Sequence, residues 1–171
     1  MDSPIFRLAA SGDYQREALE LHLGSLNSLS RLESSPLHYA ILGGNEETVR
    51  FLVSRGARVR ASNMFNETPL HWACKEGNLS VVQFLLQQGA VPDSLDTEGN
   101  TPMHWAAEYD REKVILLLLE YGTHSSRLIK NEDDHTPLQV AKENGSKRAL
   151  KVLQTKIFSS SHPLLTSVTR T

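Results

Sequence analysis

Apolar residues fall at helical spacing in Leu79-Ser80-Val81-Val82-Gln83-Phe84-Leu85-Leu86, which predicts a helix with one buried face. Gly89-Ala90 stops that helix, and the chain from there to Gly99 is rich in turn formers. The run Val114–Leu119 is the longest apolar stretch; at six residues it is far short of the ~20 that a membrane span needs. Ala149, Leu150, Val152 and Leu153 show the same helical spacing, with Lys147, Arg148 and Lys151 between them. Near the start, Arg16, Glu17 and Glu20 put charge on the equivalent helix, where the inner helices are mostly apolar.

The elements repeat. Ser35-Pro36-Leu37-His38-Tyr39-Ala40 recurs as Thr68-Pro69-Leu70-His71-Trp72-Ala73 and as Thr101-Pro102-Met103-His104-Trp105-Ala106. A weaker copy is Thr136-Pro137-Leu138-Gln139-Val140-Ala141, so the steps are 33, 33 and 35 residues. Nine residues after each hydroxyl residue stand Gly44, Gly77, Asp110 and Gly145; twenty-one after stand Gly56, Gly89 and Gly122. Ser3-Pro4-Ile5-Phe6 opens an earlier, disguised unit, with Gly12 and Gly24 in phase. Each element has a physical role. The Ser or Thr caps a helix by accepting from an otherwise orphan N–H. Proline suits the first helical position, where no N–H is required. Glycine closes the helix in a left-handed conformation.

The pattern resembles the ankyrin repeat, whose period and T-P-L-H-x-A signature it matches over about nine-tenths of the chain. The resemblance implies an all-α solenoid of stacked helix–turn–helix units with projecting β-hairpin loops. Units are expected to start near 3, 35, 68, 101 and 136, forming one domain over 1–156 with a flexible C-terminal tail over 157–171. The charged first and last units read as caps whose outer faces meet water. The motif histidines His38, His71 and His104 are implied to bridge the cap hydroxyl and neighbouring backbone. Three departures stand out. Asp110 replaces a helix-closing glycine and predicts an altered or mildly strained turn. The loop Thr123 to His135 is two residues longer than its equivalents. Gln139 replaces the histidine in the last unit, where no further unit follows.

Composition narrows the function. Eighteen basic and twenty acidic residues give a formal charge of −2, which argues against a dedicated nucleic-acid binder. One cysteine excludes an internal disulfide framework and any multi-cysteine zinc site. Met1-Asp2-Ser3-Pro4 has no basic-then-apolar leader pattern, so an intracellular, cytoplasmic or nuclear, protein is expected. No phosphate loop, nucleophile–base pair or metal-ligand spacing is present, so no enzyme activity, cofactor or metal is expected. Cys74, beside the committed His71, reads as core. Charge is uneven: residues 29–63 carry net +2, residues 90–135 net −6 and residues 136–171 net +5.

The positions that vary within the resembled family lie on the fingers and at the end of the first helix. Here they include Leu32, Met64, Phe65, Lys75, Glu76, Glu98, Glu108, Tyr109, Asp133 and His135. Leu32, Met64 and Phe65 are apolar where polar residues are the default, which suggests an interaction patch; the alternative is that Phe65 folds back on its own hairpin. Trp72 and Trp105 either pack between units or form a stripe open to the groove. The expected function is a non-enzymatic module or adaptor that binds another protein, as a monomer or a subunit of a hetero-complex. Phe65, Trp72, Trp105 and Tyr109 would be its apolar anchors. Glu98, Glu108 and Asp133 would orient the partner. The alternatives are a small inhibitor or assembly chaperone, or a regulatory piece of a larger protein. The length is similar to that of the cyclin-dependent-kinase inhibitors of this class. Those, however, shorten the first helix of their second unit, and Pro36 through Gly44 has normal spacing.

Overall fold

The structure, a computed structural model, describes residues 4–11, 16–122 and 125–159. Among these residues are ten α-helices and two short 3-10 turns. The helices are α1 (Pro4–Ala10), α2 (Arg16–Glu20), α3 (Pro36–Leu42), α4 (Glu46–Ser54), α5 (Pro69–Glu76) and α6 (Leu79–Gln87). They continue as α7 (Pro102–Glu108), α8 (Glu112–Tyr121), α9 (Pro137–Glu143) and α10 (Lys147–Ser159). The first helices of the units stack in the order α1, α3, α5, α7, α9; α4, α6, α8 and α10 stack behind them as a second row.

Local chemistry sets where the first-row helices begin. The side chains of Thr68, Thr101 and Thr136 accept from the N–H three residues on, and each helix has proline in its first turn. In return, the backbone N–H groups of Ser35, Thr68 and Thr101 donate to Nδ1 of His38, His71 and His104 at 3.1, 3.1 and 3.0 Å. This is a capping box with imidazole in the place usually held by Glu or Gln. Because Nδ1 accepts, Nε2 carries the proton, and it reaches the next unit. The three rings donate to the carbonyls of Glu67, Asn100 and His135 at 3.1, 3.1 and 3.0 Å. Gln139 reproduces only the local half: its Oε1 accepts from Thr136 N at 2.8 Å.

The helices close with left-handed residues at equivalent positions: Gly44, Gly77, Asp110 and Gly145 all have positive φ. Gly77 has a second reason to lack a side chain. A Cβ there would lie 2.6 Å from Cδ of Arg111, whose Nε donates to the Lys75 carbonyl at 2.8 Å. Gly122 differs from Gly56 and Gly89, which share its phase: its φ is −82°, whereas theirs are positive, so it does not need left-handed freedom. It is small because Ser126 Oγ would meet a Cβ at 2.6 Å. The longer fourth loop folds into a 3-10 turn, Ser126–Leu128, whose buried Ser126 donates to Asp93 at 2.8 Å.

The core is built in columns. Ile5, Leu37, Leu70 and Met103 are buried at one register position of the first-row helices. Leu52, Leu85, Leu118 and Leu153 are buried at one position of the second row. Each column member therefore packs on the units before and after it, so cohesion comes from nearest neighbours. In the first unit, Glu20 pairs with Arg16 and with Arg55, just past the end of α4.

The expected end of the domain at 156 falls within α10, which runs through Ser159. The rest of the expected tail, and Ser3, Gly12, Thr123 and His124, lie outside the described residues.

Candidate functional site

The fingers between units are tight turns, each with an inner backbone bond and an outer one that closes it, and there is no strand among the described residues. The closing bonds are Ser30 to Ser34, Asn63 to Glu67, Asp96 to Asn100 and Asn131 to His135. Within each turn a residue sits at positive φ: Glu33, Asn66, Gly99 and Asp134. Asn63 Oδ1 accepts from Phe65 N and Glu67 N, and Asp96 Oδ1 accepts from Glu98 N and Asn100 N. These Asx-type bonds make the turn from a short polar side chain. Each fingertip is then tied to the next by a single bond: Met64 N–H to the Leu32 carbonyl, Thr97 to Phe65, and Glu132 to Glu98, at 3.1, 2.9 and 2.9 Å.

A groove runs between the fingers and the first-row helices. A depression of about 280 Å³ in it is lined by Leu42, Glu67, Trp72, Lys75, Glu76 and Trp105. The two tryptophans are half-buried and do both jobs considered from the sequence. Each ring packs edge-on against the motif histidine of the unit before, with centroids 5.3 Å apart for His38–Trp72 and 5.6 Å for His71–Trp105. Each also borders the open groove. Their indole N–H groups are satisfied by the fingers, Trp72 Nε1 donating to Glu67 Oε2 and Trp105 Nε1 to Asp96 Oδ2, both at 2.8 Å. The ring orientation is thereby held, and what faces the groove is aromatic surface.

Lys75 lies against this surface. Its Nζ is 5.7 Å from the Trp105 ring centroid and 5.2 Å from that of Tyr109, a cation–π arrangement. Glu108 stands beside it. Partial burial raises the Glu108 carboxyl above its ordinary value; Lys75 opposes this shift and the charge of Glu98 adds to it. Carboxylates thus gather at this end of the groove.

The fingertip residues stay in solvent. Leu32, Met64 and Phe65 are 50, 50 and 43% exposed, so each keeps a large apolar surface in solvent. Glu98 and Asp133 are exposed on the later fingers, and Glu76, Glu108 and Tyr109 at the helix ends. His135 is different. It is half-buried, its Nδ1 lies 3.1 Å from Glu143 Oε2 and its carbonyl serves His104, so it holds the last finger to its unit. Two groove residues were not among the expected set. Leu42 and Glu67 occupy positions that vary in the resembled family, and that was the signal available in the sequence.

A larger cleft, about 640 Å³, lies away from the fingers, lined by Arg16, Glu47, Arg50, Phe51, Ser54 and Arg55. Its cations are already engaged: Arg50 pairs with Glu46 and Arg55 with Glu20, each at 2.7 Å, and the Arg50 guanidinium also covers the Phe84 ring. The groove differs in being bordered by the Trp72 and Trp105 rings and by Lys75, which forms no ion pair among the described residues.

Burial pushes the Cys74 thiol far above the range where a thiolate forms. Burial likewise lowers His38 to about 4, and lowers His71 and His104. Among the described residues, no three His, Cys, Asp or Glu side chains gather as metal ligands, and no helix is long and apolar enough to cross a membrane.

The fold and groove define a helical repeat protein with a finger-bordered concave face. The family model for ankyrin repeats matches three times, over residues 5–96, 60–127 and 88–162. The chain belongs to the ankyrin-repeat family, whose repeats generally mediate protein–protein interaction. Comparison with curated proteins returned no match.

Proposed function

We propose that this chain is a non-catalytic binding module that grips a partner protein in the groove between its fingers and first-row helices. The supporting observation is the combination of oriented aromatic surface from Trp72 and Trp105 with exposed apolar fingertips at Leu32, Met64 and Phe65. Water-exposed apolar residues on adjacent fingers cost solvation that a partner would recover. Large rings held in place lose little entropy on binding, which favours them as anchors. Tyr109 extends the surface beside Lys75, and Glu76, Glu98, Glu108 and Asp133 give it a negative border. Action as an inhibitor or assembly chaperone would use the same surface. So would action as the regulatory part of a larger protein. A cytoplasmic or nuclear setting suits the single, buried thiol.

The test is capture of the partner from cells with the wild-type chain and with Phe65→Ala/Tyr109→Ala, followed by calorimetry on the isolated pair. Both positions are exposed, so the variant is expected to fold, which circular dichroism checks. Each substitution is expected to weaken binding by about 1–2 kcal/mol or more. Equal affinity in wild type and variant would move the site off this face.

A further inference from the structure

We infer that the groove takes an extended segment of fixed direction, with apolar side chains over the second and third units and arginine or lysine over the fourth and fifth. This rests on the reading of the concave face as the binding surface and adds the chemistry and orientation of what it binds.

Two rows of side chains border the groove, and both change character in the same direction. On the fingertips, equivalent positions carry Leu32, Phe65, Glu98 and Asp133. The backbone bonds from Met64 to Leu32, Thr97 to Phe65 and Glu132 to Glu98 keep these fingertips in register. On the helix side, equivalent positions of α3, α5, α7 and α9 carry Leu42, Lys75, Glu108 and Glu143. Leu32, Leu42 and Phe65 are all exposed. The floor between the rows is aromatic, with Tyr39 and Trp72 at ring centroids 6.3 Å apart and Trp105 in the following unit.

Charge complementarity picks the occupant. Among the described residues, no Lys or Arg forms an ion pair with Glu98, Glu108, Asp133 or Glu143; Glu143 meets only His135. Glu98 and Glu108 are close enough to feel each other's charge, and Lys75 is the cation beside them. A guest guanidinium or ammonium over the fourth and fifth units would meet carboxylates that Lys75, which already faces the Trp105 and Tyr109 rings, does not neutralise by an ion pair. A guest carboxylate would be repelled there. Over the second and third units Leu32, Phe65 and Leu42 recover solvation from an apolar side chain, and the charges there, Glu67, Lys75 and Glu76, are of mixed sign. A segment placed backwards would set its charge on leucine and its apolar end on carboxylates. Direction is therefore specified by the same residues that supply affinity.

The experiment selects random peptides on the immobilised whole chain. It then measures the enriched peptides by anisotropy against wild type, Phe65→Ala and Glu98→Lys/Asp133→Lys. The expected peptides carry an aromatic or aliphatic block at one end and arginine or lysine at the other. Their affinity should fall by about tenfold or more in the charge-reversed variant, and fall with added salt. Phe65→Ala should weaken them separately. Enrichment of acidic or uncharged peptides, no enrichment, or indifference to charge reversal would overturn the inference. A cellular partner that needs Phe65 and Tyr109 but ignores Glu98→Lys/Asp133→Lys would overturn the inference alone and leave the binding face standing. A partner indifferent to Phe65 and Tyr109 would remove the face itself.

Discussion

Asp110 Oδ1 accepts the backbone N–H of Ala149 at 2.8 Å, across 39 residues of chain. The acceptor comes from the unit before, and it supplies the N-terminal cap of α10. In α4 and α6 that task belongs to local side chains: Asn45 accepts from Thr48 N at 2.9 Å and Asn78 from Val81 N at 3.2 Å. Ser146, which precedes α10, donates its hydroxyl instead to the Glu108 carbonyl. Asp110 also meets Arg148 at 3.2 Å. The departure from glycine therefore has a purpose that offsets the cost of φ +55°.

Replacing Asp110 separates cap from backbone. Asp110→Ala loses the acceptor and keeps a β-carbon in the left-handed region, so stability should fall by about 1–2 kcal/mol. Asp110→Gly also loses the acceptor but relaxes the backbone, and should fall less. Urea unfolding of both variants checks the order; equal loss would mean the backbone contributes nothing.

Acid should weaken the fold through the motif histidines. Burial holds His38 near 4 against an ordinary 6.5, so the folded state favours the neutral ring. The stabilisation is present above pH 6.5 and is lost as pH falls from there towards 4. For His38 alone the change is on the order of 3 kcal/mol at the acid end. His71 and His104 shift in the same direction. His38→Gln, copying Gln139, should keep the local cap, lose the donor to Glu67 and show a smaller drop between pH 7 and pH 5. An unchanged pH profile in that variant would exclude His38 as the source.

Leu85 sits in the middle of the second-row column and is fully buried. Leu85→Ala should cost about 2–5 kcal/mol, as should Leu70→Ala in the first row. Because both lie at a central interface, the unfolding transition should also broaden as the stack divides. A shift of a few tenths would contradict the packing register.

Cys74 is fully buried and its thiol is held protonated. Alkylation by iodoacetamide should be negligible in the native chain and prompt in denaturant. Prompt labelling of the native chain would mean that α5 opens locally.

Much of this was legible before any coordinates. The caps, prolines and closing glycines act over three or four residues, and their recurrence set the helices and their register. The place of Leu32, Met64 and Phe65 at fingertips was legible too, while the sequence left open whether Phe65 packs on its hairpin. Other features involve partners about 30 to 40 residues away, and spacing alone does not name them. Asp110 read as a strained turn because its partner, Ala149, begins another unit. Gly122 stood in phase with Gly56 and Gly89, whereas the close approach of Ser126 is what requires it.

The sequence by itself determined the repeat, the helix boundaries near each capping box and the uneven charge, because each is written in residue type and short-range spacing. The tertiary structure decided which surfaces meet. It turned the Trp72 and Trp105 N–H groups to Glu67 and Asp96 and brought Leu42 and Glu67 into the groove. It also diverted His135 to Glu143. These outcomes depend on how successive units stack, since a side chain's neighbours across an interface are set by packing against the next repeat.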